Sequence, residues 1–158
     1  MALTKGINSY AEVADFDAYF ADRLNVDAAT LATPEEKAQA LVTASSILDD
    51  KPWVGTVIEI DQPMAFPRNG TYFDPRLGGR VYLASIIPNR ILNATLELAY
   101  HLLLNPNVTD DTGSVKNLTV GPIHLDLVLN APTIPSKVRS LITPLLVNRG
   151  SSPYWRAN

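Results

Sequence analysis

The sequence predicts a mainly α-helical fold, a small helical bundle with a long loop or β-hairpin inserted at about residues 53–86 and an extended C-terminal arm. Three observations carry this expectation. Apolar residues recur at helical spacing in three well-separated segments, near 11–24, 34–49 and 88–104. That periodicity lapses between residues 53 and 86, where turn signals gather. The chain has 158 residues, a length that suits one domain able to build its own core. Residues 1–146 are expected to form this domain and residues 147–158 a tail.

In the first segment, Ser9-Tyr10-Ala11-Glu12 reads as a capping box. Val13, Phe16, Phe20 and Leu24 then form an apolar stripe that Tyr19 widens. The second segment begins at Thr33-Pro34-Glu35-Glu36, which supplies an N-cap, a proline at the first helical position and a capping-box glutamate. Ala38, Leu41, Val42, Ser45 and Leu48 are its expected inward face, and Pro52 closes it. Alternation over Thr56–Ile60 and the run Val81-Tyr82-Leu83 suggest short strands. Asn69-Gly70, Asp74-Pro75 and Gly78-Gly79 are turn signals between them.

Pro88 opens the third helix, with Ile91, Thr95, Leu98 and Leu102 on one face and Asn105-Pro106 as its stop. Leu118, Val120, Ile123, Leu125 and Leu127 alternate with polar residues, one or two strands interrupted at Gly121-Pro122. Pro135 begins a short fourth helix that Pro144 should end or kink near Thr143. No internal repeat is visible.

Charged residues are only 18% of the chain, against about 25% in a typical soluble domain. Either other chains cover much of the surface, or the domain is Pro-rich with uncharged polar loops. Residues 1–79 carry 12 acids and 6 bases, a balance of −6, and residues 80–158 carry 4 acids and 7 bases, a balance of +3. The overall charge of −3 argues against a general nucleic-acid binder, which shows a basic face. Cysteine is absent, which excludes disulfides and zinc-thiolate sites. The N-terminal residues start no signal-peptide run, and no stretch approaches 18 apolar residues. The expectation is a soluble chain made in the cytoplasm, without a membrane partner, whose four Asn-x-Thr triplets are chance.

No catalytic constellation emerges, and the chain is expected not to be an enzyme and to need no cofactor. His101 and His124 have no second ligand or nucleophile placed near them by the pattern. Glu35-Glu36, Asp49-Asp50 and Asp110-Asp111 stand where caps and turns favour acids, so no metal site is expected. Gly78-Gly79 lacks the context of a phosphate loop. Trp53, Phe66, Tyr72, Phe73 and Tyr82 cluster in the middle segment. Single-stranded nucleic-acid binders stack bases on such residues. Only Lys51, Arg68, Arg76 and Arg80 accompany them, so core packing is the expected role.

Several blocks occur in a telling order: Asp17-Ala18-Tyr19-Phe20-Ala21-Asp22-Arg23, Glu36–Leu41 through Leu48-Asp49, Trp53-Val54-Gly55, Gln62–Gly70, Ile87-Pro88 with Glu97-Leu98-Ala99, Val120–Ile123, and Pro135–Leu146. Over about residues 10–146 the chain resembles the small head-tail adaptor proteins of tailed bacteriophages, relatives of which often carry a DnaT-like single-stranded-DNA-binding label. Phe66-Pro67-Arg68-Asn69-Gly70 departs from the usual Trp-Pro-Arg-x-Gly, and Asp50-Lys51-Pro52 replaces an aromatic-rich approach to Trp53.

The resemblance implies a structural virion protein in the neck, at the head-tail interface. It implies a homo-oligomeric ring of twelve subunits under the portal protein, extending the DNA channel and docking a tail, nozzle or head-completion protein. DNA would pass through without sequence-specific binding. The alternative is a single-stranded-DNA-binding protein of a phage replication system. Partner contacts are expected at Arg68, which either meets a neighbouring subunit or a main-chain carbonyl, and in the acid-free C-terminal arm at Arg149, Tyr154, Trp155 and Arg156.

Overall fold

A computed structural model describes residues 2–83, 86–105, 117–120, 123–126 and 134–147. Among them lie five α-helices: α1 (Val13–Phe20), α2 (Asp27–Leu31), α3 (Pro34–Asp49), α4 (Asn89–Leu104) and α5 (Ser136–Ile142), the last running into a 3₁₀ turn at Thr143–Leu145. Six short strands, β1 (Thr56–Val57), β2 (Arg68–Asn69), β3 (Thr71–Asp74), β4 (Gly79–Tyr82), β5 (Asn117–Val120) and β6 (Ile123–Asp126), pair as three separate antiparallel ribbons, β1 with β2, β3 with β4 and β5 with β6. The domain is therefore a mixed α/β fold. This corrects the expected mainly α-helical bundle. The helical stripes are real, but the short ribbons add strand structure, and the segment that holds two of them supplies part of the core.

α3 starts as its sequence requires. The Thr33 hydroxyl accepts from the Glu36 N–H at 3.3 Å and the Glu36 carboxylate accepts from the Thr33 N–H at 2.8 Å. Its buried face is Lys37, Ala40, Leu41, Ala44, Ser45 and Leu48, rotated slightly from the expected one, which included Ala38 and Val42. α1 is shorter than expected. It is capped at Glu12, whose N–H donates to the Asp15 carboxylate at 3.0 Å, and it ends at Phe20. Ser9, the expected cap, is buried instead, with its hydroxyl donating to the Ala11 carbonyl at 2.7 Å. The chain then turns through Asn25, which has φ +59°, so Leu24 leaves the stripe and stands in solvent.

α4 is the central element. It packs against α3, α5, α1 and α2. Ile91, Ala94, Thr95, Leu96, Leu98 and Ala99 are all buried, so it is enclosed over most of its circumference. α5 ends where Pro144 demands, and the chain returns alongside the start of the middle segment. Val54 N–H donates to the Leu145 carbonyl and Val147 N–H to the Pro52 carbonyl, each at 2.8 Å.

The middle segment runs inward. Trp53, Met64, Phe66, Tyr72 and Leu83 join the core. Trp53 stands edge-on to Phe66 with centroids 5.2 Å apart, and its indole N–H donates to the Leu48 carbonyl at 3.0 Å. Gly55 and Gly70 make the tight crossing possible. A Cβ on Gly55 would meet the Asn69 carbonyl oxygen at 2.1 Å, and Gly55 also has φ +79°. The expected strand over Thr56–Ile60 shrinks to Thr56–Val57, with Ile60 exposed. The interrupted strand near 118–127 is observed as β5 and β6, in register Val120↔Ile123 and Asn117↔Asp126.

Candidate assembly surface

Three polar centres, at Asp74 and Glu97, which are buried, and at Asp49, which is half-buried, tie together the elements that present the surface. Asp74, at the end of β3, accepts from Arg90 of α4 through Nη2 at 2.6 Å and Nε at 3.1 Å. The Arg76 backbone N–H adds a third bond at 2.9 Å. The Arg90 hydrogen bonds outweigh burial and hold the Asp74 carboxyl well below the usual carboxylate range. This fork ties the β3–β4 ribbon to the N-terminal end of α4.

Glu97, nearly buried on α4, accepts from Tyr19 at 2.7 Å, from Lys137 of α5 at 2.6 Å and from Arg23. Burial alone would push its carboxyl up. The bonds from Lys137, Arg23 and Tyr19 overcome that and hold it below its ordinary value. Burial and the same contact push the Tyr19 hydroxyl up to about 12. Asp49 accepts from Tyr10 and from the Ala65 N–H, and desolvation raises its pKa.

Arg68 binds main-chain carbonyls. Its Nε donates to Val54 at 3.0 Å, Nη1 to Ala65 at 3.3 Å and Nη2 to Gly55 at 2.6 Å. Of the two partners the sequence offered, a neighbouring subunit or a carbonyl, the carbonyls of its own loop take the guanidinium. The planar fork suits this multidentate task. Arg149, Tyr154, Trp155 and Arg156 lie outside the described residues, as do the side chain of His124 and the pair Asp110-Asp111.

The aromatic cluster divides into two faces. Trp53, Phe66 and Tyr72 are core, as expected of all five, whereas Phe73 and Tyr82 are 57% and 62% exposed. Strand alternation explains the split. Phe73 pairs with Arg80 and Thr71 with Tyr82, so these four side chains share the outer face of the ribbon while Tyr72 and Asp74 point inward. The alternation in Thr71–Asp74 was the available signal; reading the aromatics as one cluster missed it. Beside this face lies a groove of ≈ 550 Å³ lined by Val54, Phe73, Pro75, Arg80, Pro144 and Val147 among others, with no acid among its described lining residues.

The cations are mostly spent. Of the ten described lysines and arginines, Lys5, Arg23, Lys37, Arg76, Arg90 and Lys137 are in ion pairs and Arg68 is on carbonyls. Lys51, in the turn after α3, Arg80 on β4 and Arg139 on α5 are left. The described residues contain no group of three or more His, Cys, Asp or Glu side chains able to hold a metal ion, and no helix long and apolar enough to cross a membrane.

The family model described as "Putative DnaT-like ssDNA binding protein" matches residues 2–157. No curated protein and no solved structure matches the chain. The family's description corresponds to the alternative expectation and does not mention a head-tail adaptor. With nearly the whole chain matched, this protein belongs to the DnaT-like single-stranded-DNA-binding family so described.

Proposed function

We propose that the protein is a non-enzymatic assembly component, a head-tail adaptor that forms a ring under the portal of a tailed bacteriophage and leaves DNA as a passing guest. The observation that carries this reading is the inversion of its surface. Most described cations are tied up internally, while large apolar side chains, among them Leu24, Leu31, Ile60, Leu77, Phe73 and Tyr82, stand exposed. Exposed apolar area rimmed by polar groups suits protein contacts. A groove for nucleic acid would instead keep its lysines and arginines free for phosphates. The specific identity as an adaptor rests on the ordered sequence blocks from Asp17 to Leu146. The test is to add the purified protein to DNA-filled heads that carry a portal but no neck, and to image them. An added ring at the portal vertex supports the proposal; bare portals at saturating protein refute it.

A second reading, single-stranded-DNA binding, is favoured by the family's description and by one feature of the ribbon. Phe73, Arg80 and Tyr82 share an outer face beside a groove with no acid among its described lining residues, the combination of stacking ring and cation that such binders use. A single free cation at that face offers little phosphate neutralisation, and this places the reading second.

A further inference from the structure

We propose that copies of this chain associate head to tail, the outer face of the β3–β4 ribbon of one copy seating on the α1–α2 corner of the next. The inference rests on the assembly reading above and specifies the two surfaces that meet.

The α1–α2 corner is apolar and acidic. Leu24 and Leu31 are 89% and 82% exposed. Asp22, Asp27 and Glu35 beside them in sequence are exposed and take part in no ion pair among the described residues. The cations nearest in sequence are already committed, Arg23 to Glu97 and Lys37 to Asp17. The corner therefore carries two exposed aliphatic side chains and, close by in sequence, three exposed acids with no ion-pair partner among the described residues.

The ribbon face is its complement. It offers Phe73 and Tyr82 with Arg80, which has no partner among the described residues. The acid of this ribbon, Asp74, is turned inward and neutralised by Arg90. Apolar groups and opposite charge thus occur together on both faces, the pattern that steers and registers a specific contact.

The two faces cannot satisfy each other within one chain. The ribbon is anchored at Arg90, near the start of α4. The corner is anchored near its end, where the Tyr100 hydroxyl donates to the Asn25 carbonyl at 2.9 Å and the Tyr100 ring lies 5.0 Å from that of Phe20. These anchors stand about 15 Å apart along the helix axis. Two different, complementary patches at opposite ends of a subunit make a heterologous contact, which closes into a ring or extends as a filament.

Charge-swapped mixing tests the pairing. Arg80→Glu makes both faces acidic, and Asp22→Lys with Glu35→Lys makes both basic. Each variant alone should lose self-association by about tenfold or more in sedimentation at low salt, with an unchanged circular dichroism spectrum. An equimolar mixture should regain it, because each reversed face then meets its complement. Failure of the mixture to associate while the wild type does would overturn the pairing and leave the assembly reading to its own test on portal-bearing heads. A wild type that stays monomeric at every concentration would also overturn it.

The natural absence of cysteine gives an independent check that does not depend on charge. Leu31→Cys and Phe73→Cys variants, oxidised together, should yield a disulfide-linked dimer of one copy of each. Linkage only of like with like would overturn the proposal.

Discussion

The α3–α4 layer and the middle segment from Pro52 to Leu83 bury comparable side chains by different means. In the helices the backbone satisfies itself, so their buried charged side chains, Lys37 on α3 and Arg90 and Glu97 on α4, are left to pair with side chains of other elements. The middle segment has only two residues in each of β1 and β2 and four in each of β3 and β4. Its backbone is instead satisfied by side chains. Arg68 donates to four nearby carbonyls, Asp49 receives the Ala65 N–H, and Gln62 accepts from Ile58 and Glu59 while donating to Met64 and Pro67. The difference shows how a segment poor in ladder bonds can carry core residues: polar side chains replace the missing partner strand.

The largest effect should come where the regions meet. Trp53→Ala removes a buried indole and its bond to Leu48, and should cost about 3–5 kcal/mol in chemical denaturation. Leu98→Ala, inside the helical layer, should cost about 2–5 kcal/mol. Arg68→Ala should cost about 1–3 kcal/mol through the carbonyls it leaves unpartnered. Its signature should be local. Hydrogen exchange should rise over residues 53–70 while the α4 amides stay protected, and equal loss of protection in both regions would contradict the comparison.

Acid sharpens the same contrast. Asp74 and Glu97 have lowered folded pKa values, so each contributes stability that is present above the ordinary carboxylate range and lost as the pH falls through its folded value. Asp49 is raised and works in the opposite sense. Stability should therefore decline below about pH 4, with the ribbon released from α4 as Asp74 takes up its proton. A stability flat from pH 6 to pH 2 would contradict these assignments. The smallest effect belongs to Lys5→Ala, whose partly exposed pair with Asp15 should contribute about 0–1 kcal/mol and vanish in salt.

The helical layer was legible because Thr33-Pro34-Glu35-Glu36 and the Ile91–Leu98 face announce themselves locally. The length of α1 was not, since Leu24 keeps the helical spacing while Asn25 turns the chain away. The ribbons of the middle segment were legible only as turn signals and one hairpin, because a two-residue strand such as β1 or β2 leaves almost no periodic trace. Glu97 was visible only as an acid within an apolar helix, and its partners Arg23 and Lys137 are 74 residues before it and 40 after it. The split of Phe73 and Tyr82 from Tyr72 was readable from strand alternation alone.

On the proposed assembly reading, the surface meets protein and not phosphate. The most direct test of that reading is a titration of the purified protein against a fluorescent single-stranded oligonucleotide across salt concentrations, read by anisotropy. No saturable binding is expected at physiological salt, and only a shallow salt dependence below it. Tight binding that weakens steeply with salt, with a slope reporting several phosphate contacts, would contradict it and establish the second reading.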